Sequence, residues 1–147
     1  MGKIIIKKLK VKSKQLDKFK LNAWKQIHPE HYGVSRNNEY WTNKELILEA
    51  SDEGKIIGVL IGDLMGGVFS ISELIVDKRY RRQNIGKKLL NEAEVWAKNN
   101  KAHKIYTETG VNWKARKFYE SMGFETGAVL SNHYSKIDFI ALTKFLE

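Results

Sequence analysis

One short segment constrains the fold of this 147-residue chain more than any other. Residues 81–89 follow an apolar run at residues 71–76 and open a stretch whose apolar residues recur at helical spacing. The pattern predicts a strand, a turn and a helix. A turn of this kind that contains glycine and is flanked by cations suits a phosphate group, because helix N-termini present unpaired N–H groups and a partial positive charge. A solvated basic face would carry the same residues, so this segment alone leaves both interpretations open.

Composition limits the kind of protein. The length predicts a single domain over residues 1–147 that can bury a core without disulfides or metal. The absence of cysteine excludes a thiol nucleophile and thiolate metal sites, and the four histidines show no metal-like spacing, so we expect no metal. No run approaches the ~18 apolar residues that span a bilayer, and the start of the sequence lacks signal-peptide features. We therefore expect a cytoplasmic protein without a membrane partner.

The net charge of +9 raises the question of nucleic acid, because clustered Lys and Arg are the footprint of phosphate binding. Here the cations are scattered, with lysine-rich stretches near the N-terminus and around Arg81, and no nucleic-acid-binding motif accompanies them. A polyanionic small ligand explains the dense cluster around Arg81 equally well. We therefore expect no nucleic-acid partner.

Hydrophobic periodicity predicts an α/β fold, in which one mixed, mostly antiparallel sheet is flanked by helices. Ser13 is expected to cap the first helix and Pro29 to end it, with a loop over residues 31–40. Glycine-containing turns at residues 51–55 and 66–67 predict consecutive hairpins. Strands are predicted at residues 3–11, 46–50, 56–62, 68–76, 104–109, 124–130 and 136–145, and further helices at residues 42–46, 85–98 and 112–122.

A second dense pattern occupies residues 112–124. Its apolar positions fall on one helical face, with Asn112 expected as the N-cap and Gly123 in the left-handed position that closes a helix. A well-formed helix accounts for most of these residues. It does not account for the phenol of Tyr119 among apolar positions, because a buried tyrosine hydroxyl generally needs a hydrogen-bond partner.

Together the two patterns resemble the GNAT superfamily of acyl-CoA-dependent N-acyltransferases. The family's [RQ]-x-x-G-x-[GA] loop, which follows its fourth strand, is matched by Arg81, Asn84 and Gly86. Its N-x-x-A-x-x-x-Y-x-x-x-G-F motif is matched by Asn112, Ala115, Tyr119, Gly123 and Phe124. Asn84 departs from the family, which usually has glycine there. Asparagine is the non-glycine residue that best tolerates a left-handed backbone, so we expect the loop to survive with slightly weaker phosphate contact.

The resemblance implies an N-acetyltransferase domain that uses acetyl-CoA. It also implies a GNAT-like sheet that is splayed between strands 4 and 5 of the predicted set (residues 68–76 and 104–109), where a bulge opens a slot for the acyl group. The pantetheine arm would pair with the backbone of the fourth strand. The implied cofactor-binding residues are Leu74, Ile75, Val76, Arg81, Arg82, Gln83, Asn84, Ile85, Gly86, Lys87, Asn112 and Tyr119.

The implied reaction is direct transfer of an acetyl group to a primary amine of a small molecule or of a peptide N-terminus. Tyr119 is the family-matched acid for the leaving thiolate, and a backbone N–H near Val76 would stabilise the oxyanion. The base is open between Glu73, His133 and a water chain. Glu73 is equally well explained as a surface carboxylate, and a loop histidine such as His133 is more often solvent-exposed.

Other interpretations stay open beside this one. A GNAT-fold module could bind CoA without turnover, as a sensor or interaction domain, and a homodimer is compatible with the sequence. The acceptor depends on the first helices and the last hairpin, whose residues carry no readable code. Aromatic residues near that region fit either an amine pocket or a core: Trp24, His31, Tyr32, Tyr40 and Trp41.

Overall fold

The computed structural model describes residues 4–33 and 38–147, and the chain divides into two compact units between Glu39 and Tyr40. The described part of the first unit is dominated by one helix, α1 (Lys14–Tyr32). Ser13 caps it as predicted, because its side chain accepts a hydrogen bond from the N–H of Leu16 over 3.1 Å. No helix among the described residues is long and apolar enough to cross a membrane.

Several predictions for the N-terminal part of the chain are wrong. Pro29 does not end α1 but lies in its last turn, where its carbonyl accepts the N–H of Gly33 over 2.9 Å. Residues 4–12 form no strand, since no ladder with another segment builds there, and Lys3 lies outside the described residues. The next helix, α2 (Asn38–Trp41), comes before the predicted one because residue Lys44 already begins a strand. The loop predicted at residues 31–40 therefore overlaps both helices, and its residues 34–37 lie outside the described part.

The second unit contains a six-stranded sheet. Its order is β1-β2-β3-β4-β6-β5, and all neighbouring strands run antiparallel except β3 and β4, which run parallel. The predicted mixed, mostly antiparallel sheet is therefore confirmed. Its strands are β1 (Lys44–Asp52), β2 (Lys55–Met65), β3 (Val68–Val76), β4 (Lys104–Gly110), β5 (Glu125–Leu130) and β6 (Phe139–Phe145). The last strand begins later than predicted because residues 134–136 form a tight turn in which Ser135 is left-handed.

Two helices accompany the sheet, α3 (Ile85–Asn99) and α4 (Lys114–Ser121). The side chains of Ile85 and Leu89 approach Gly58 so closely that a Cβ added there would lie 3.3 Å from each. The Trp96 ring of α3 likewise packs against Phe69 of β3. We call the sheet face that carries Gly58 and Phe69 the helix face, and the other one the opposite face. The largest fully buried side chains are Phe69, Leu60, Leu90, Ile105 and Leu142.

Candidate active site

The parallel strands β3 and β4 pair over only a short stretch. Their ladder joins Val68–Ser70 to Lys104–Tyr106 and then stops, although both strands continue. Just past its end, the Thr107 hydroxyl donates a hydrogen bond to the Ile71 carbonyl over 3.2 Å. The splay predicted between these strands is therefore confirmed, and it leaves one backbone edge of β3 without a neighbouring strand.

A bulge in β3 accompanies the splay. Ile61 of β2 pairs with Glu73 and Gly62 pairs with Ile71, so Ser72 is the extra residue. The Ser72 hydroxyl donates to the Ile61 carbonyl over 3.2 Å. A bulge increases local twist and turns the strand away from its neighbour. The family resemblance implied such a bulge near residues 74–76, and the structure places it just before them.

The bulge also determines which side chains of β3 share a face. Val76 lies opposite Gly58, which packs against α3, so Val76 and by alternation Leu74 lie on the helix face. Glu73 and Ile75 lie on the opposite face and are exposed. The side chains of β3 therefore alternate as the sequence predicted, and the structure shows which face each of them occupies.

The loop between β3 and α3 has the backbone that the sequence predicted. Asn84 adopts a left-handed conformation with φ of 59°, and Arg82 does so with φ of 63°. The first intrahelical hydrogen bond of α3 runs from the Lys88 N–H to the Asn84 carbonyl over 2.9 Å. Because the first N–H groups of a helix lack an intrahelical acceptor, those of residues 85–87 are available at its N-terminus.

The charges of this loop are arranged for an anion. Asp77 is engaged by Arg79, whose guanidinium lies 2.8 Å from the carboxylate and whose hydrogen bonds hold the pKa of Asp77 well below its usual range. Within residues 4–33 and 38–147, no ion pair involves Arg81, Arg82 or Lys87. Positive charge beside a helix N-terminus therefore stays uncompensated.

These elements enclose a cavity of about 470 Å³. It extends from the loop and the first turn of α3 to Val76 and α4. Its lining contains most of the predicted cofactor residues, namely Val76, Arg81, Arg82, Asn84, Ile85, Gly86 and Lys87. Sequence reasoning missed four further lining residues, Tyr80, Phe118, Ser121 and Met122. Phe118 and Met122 were assigned only to the apolar face of the helix, and nothing in the sequence pointed to the other two.

Tyr119 is the buried residue of α4. Its side chain is only 5% exposed and packs against the rings of Phe118 and Phe124. Burial raises the pKa of Tyr119, while hydrogen bonding with the Thr107 side chain acts in the opposite sense. The hydroxyl is therefore protonated at neutral pH.

The sequence matches the Acetyltransferase (GNAT) family over residues 14–124, which is most of the chain. The protein belongs to the GNAT acetyltransferase family. No curated protein sequence matches this chain.

Solved structures of GNAT acetyltransferases share the fold of this one. An acetyltransferase from Bacillus cereus superimposes with a TM-score of 0.70 at 22% identity, with 95% of this chain and 98% of that chain covered. The ribosomal-protein-S18-alanine N-acetyltransferase from Escherichia coli gives 0.66 at 19% identity, covering 88% of this chain and 89% of its own. A Bacillus anthracis protein described as a streptothricin acetyltransferase was solved with acetyl coenzyme A bound. It gives 0.66 at 31% identity, covering 75% of this chain and 68% of its own.

Five residues predicted for the cofactor site do not line the cavity, namely Leu74, Ile75, Gln83, Asn112 and Tyr119. Gln83 lines a neighbouring cavity of about 480 Å³ between α3 and β1, and Ile75 points to the opposite face. Asn112 is exposed and is not the N-cap of α4, because the helix begins one residue later and Trp113 takes that position. Gly123 does close the helix in a left-handed conformation, with φ of 89°.

The opposite face of the sheet also carries titratable side chains. Glu73 of β3 and Glu108 of β4 both lie on it, on the two sides of the splay. His133 lies between β5 and β6 with its Nε2 3.3 Å from a Glu108 oxygen. Sequence reasoning missed Glu108, because only the β4–β6 pairing brings it to the histidine. Among the described residues, no group of three or more His, Asp or Glu side chains is placed to hold a metal ion.

Proposed function

We propose that this GNAT protein transfers an acetyl group from acetyl-CoA directly to a primary amine of a small molecule or a peptide N-terminus. The observation that carries the proposal is the cavity of about 470 Å³ that joins the cationic N-terminus of α3 to Val76 beside the splay. Residues 1–147 would act as one N-acetyltransferase domain, in the cytoplasm.

The loop end of the cavity suits the pyrophosphate of acetyl-CoA. Its available N–H groups, its three unpaired cations and the small Gly86 together offer donors, charge and room for an anion. The Bacillus anthracis relative, at 31% identity, was solved with acetyl coenzyme A bound. Acetyl-CoA would supply the acetyl group as an activated thioester.

The free edge of β3 suits the rest of the cofactor. Beyond the short ladder, alternate N–H and C=O groups of residues 74–76 point toward the gap rather than toward β2. An extended amide-containing arm can add to such an edge by backbone hydrogen bonds. The N–H near Val76 is the proposed donor to the thioester carbonyl as negative charge develops there.

Tyr119 is the proposed acid for the leaving thiolate. Its raised pKa keeps the proton on the phenol at neutral pH, so the group can donate but does not compete as a base. Thr107, which bonds to β3 at the end of the ladder, is a polar neighbour of this hydroxyl. The acceptor amine would enter from the opposite face, where Glu73 remains a candidate base.

Thermal unfolding with ligand tests the cofactor assignment. Acetyl-CoA and CoA should raise the unfolding midpoint by mass action, because a hundredfold excess over Kd stabilises the native state by about 2.7 kcal/mol. ATP at matched ionic strength should not raise the midpoint. No shift at millimolar acetyl-CoA would reject the assignment.

Release of CoA thiol tests the reaction. A thiol reagent reports it without background from the protein, since the chain contains no cysteine. The amine panel would contain spermidine, an aminoglycoside, lysine, an alanyl peptide and streptothricin. Acetyl-CoA binding without transfer to any of them would favour a CoA-binding module that lacks turnover.

A further inference from the structure

Two different side chains contact the carboxylate of Glu108 on β4. The Tyr106 hydroxyl donates to one oxygen of Glu108 over 2.5 Å, and the Nε2 of His133 lies 3.3 Å from the other oxygen. Tyr106 and Glu108 share the opposite face of the sheet, because Thr107 between them points to the helix face. The phenol orients the carboxylate, which in turn orients the imidazole.

The loop that carries His133 is held in a demanding conformation. Asn132, Ser135 and Lys136 all have positive φ, between 52° and 62°. Non-glycine residues persist there only where the surroundings hold them, and such strain is concentrated at functional sites. Here the Asn132 N–H donates to the Asp138 carboxylate over 2.9 Å, and the His133 N–H donates to the Ile137 carbonyl over 3.0 Å. The imidazole therefore extends from a fixed backbone.

Aromatic rings surround the imidazole. Its centroid lies 4.4 Å from that of Tyr134 and 5.5 Å from that of Phe139, and Phe139 packs in turn on Trp113. Trp113 sits against Gly110, where an added Cβ would lie 2.5 Å from the indole, so only glycine admits it. Trp113 and Tyr134 are 49% and 65% exposed, which leaves this wall within reach of a ligand.

The arrangement has a definite proton chemistry. Nε2 is the imidazole nitrogen that faces Glu108, at 3.3 Å, so a neutral imidazole that carries its proton on Nε2 leaves Nδ1 as the acceptor nitrogen. A base that a carboxylate fixes in one tautomer is the arrangement by which proteins build general bases. We propose that His133, positioned by Glu108, takes the proton from the acceptor amine. This inference rests on the proposed acetyl transfer and names the base for it.

The proton balance follows directly. The ammonium group of the acceptor gives one proton to Nδ1 of His133 and becomes a neutral amine. Its nitrogen forms a bond to the acetyl carbon while the carbon–sulfur bond breaks. The thiolate gains a proton from Tyr119, and the second N–H proton of the nitrogen passes through water to the Tyr119 phenolate and restores the phenol, so the products are an amide, CoA thiol and protonated His133.

The groups that face the imidazole affect how the rate of this proton transfer depends on pH. β4 contributes Glu108 and Tyr106, β6 contributes the apolar Phe139, and the loop contributes Tyr134. Lys104 lies further off, with its amine 5.9 Å from the Tyr106 ring centroid.

The tautomer can be measured without any acceptor. In ¹⁵N-histidine-labelled wild-type protein at pH 9, His133 should be an Nε2–H tautomer, with its resonances assigned by their loss in His133→Gln. Glu108→Gln should weaken that preference. An Nδ1–H tautomer in the wild type would overturn the proposal whatever the acetylation assays show.

Kinetics test the proton transfer itself. With the best amine of the panel, His133→Gln should lower kcat/KM about 10²-fold at pH 7 while leaving the acetyl-CoA midpoint shift intact. This loss in kcat/KM should shrink about tenfold for each unit by which the pH is raised, because more of the acceptor amine is already deprotonated in solution. A merely structural role would give a loss that is independent of pH.

Two variants complete the comparison. His103→Gln removes an exposed histidine just before β4 and should leave kcat/KM unchanged. If Glu73→Gln, rather than His133→Gln, shows the pH-dependent loss, the base is Glu73 and the proposal is wrong. Absence of both acetyl-CoA binding and transfer would reject the proposed function and this inference with it.

Discussion

The Thr107 hydroxyl donates a hydrogen bond to the Ile71 carbonyl over 3.2 Å and so joins β4 to β3 just past the end of their ladder. Both residues are buried, at 4% and 6% exposure. The same threonine side chain lowers the pKa of Tyr119 of α4, against the effect of burial, and is therefore a polar neighbour of that hydroxyl. Thr107 thus lies close both to the separating strands and to the proposed catalytic acid.

Replacing Thr107 by valine should destabilise the protein by about 1–3 kcal/mol, because a buried carbonyl loses its donor. It should also lower kcat, since the Tyr119 hydroxyl loses a polar neighbour. Urea unfolding and the thiol-release assay measure the two effects. Thr109→Val is the matched control, being equally buried on the same face of β4. An equal loss of stability and of kcat in Thr109→Val would show that the hydrogen bond from Thr107 to Ile71 has no special role.

Tyr119→Phe should lower kcat while acetyl-CoA affinity stays nearly unchanged, because the ring still packs on Phe118 and Phe124 and only the leaving-group proton is lost. The thiol-release assay gives kcat, and the midpoint shift with acetyl-CoA gives the binding control. Unchanged turnover across the pH range would remove Tyr119 from the mechanism.

Gly86→Val should weaken acetyl-CoA binding, because branched methyl groups would occupy the cavity where the pyrophosphate is proposed to lie. Gly86→Ala is the control: its Cβ would lie 3.5 Å from Phe118 and 3.8 Å from Val76, which is ordinary contact. Isothermal calorimetry with acetyl-CoA compares the two variants. Wild-type affinity in the valine variant would place the phosphates elsewhere.

Asn84 is left-handed at the start of α3, so its replacement separates backbone strain from ligand contact. Asn84→Ala should cost about 1 kcal/mol, since a Cβ without a compensating amide disfavours this conformation. Asn84→Gly should keep the stability near wild type and raise acetyl-CoA affinity through closer backbone approach. Thermal unfolding with and without acetyl-CoA measures both. Weaker binding by the glycine variant would show that the amide itself contacts the ligand.

Alkaline stability should depend on Tyr106. Burial and the hydrogen bond to Glu108 raise the pKa of Tyr106 to about 12, against about 10 in an unfolded chain. The raised value contributes stability below pH 10 that is lost as pH rises toward 12. The difference in unfolding free energy between wild type and Tyr106→Phe should therefore shrink from pH 9 to 11.5 in urea titrations. A difference that stays constant over this pH range would contradict the prediction.

Local patterns predicted much of this protein correctly. Alternation and turn residues located the strands of the second unit, and the spacing of apolar residues located α3 and α4. Asn84 and Gly123 adopt the left-handed backbone expected of them, because that preference belongs to the residue itself. Predictions failed where the outcome depends on another segment or on a neighbouring residue. Residues 4–12 have strand-like alternation but no ladder, and Asn112 loses the cap position to Trp113, whose ring packs on Gly110 and Phe139.

The sequence by itself determined the family, the order of elements from β1 onward and the cationic, glycine-containing loop before α3, because each depends on residues close together in the chain. Only the tertiary structure decided how far β3 and β4 separate, which face Glu73 shares with Glu108, and that His133 meets Glu108. Those relationships arise from strand pairing and from the bulge at Ser72, where a single extra residue changes the register. Hydrophobic periodicity describes one strand at a time, whereas an active site of this kind is formed by residues of several strands.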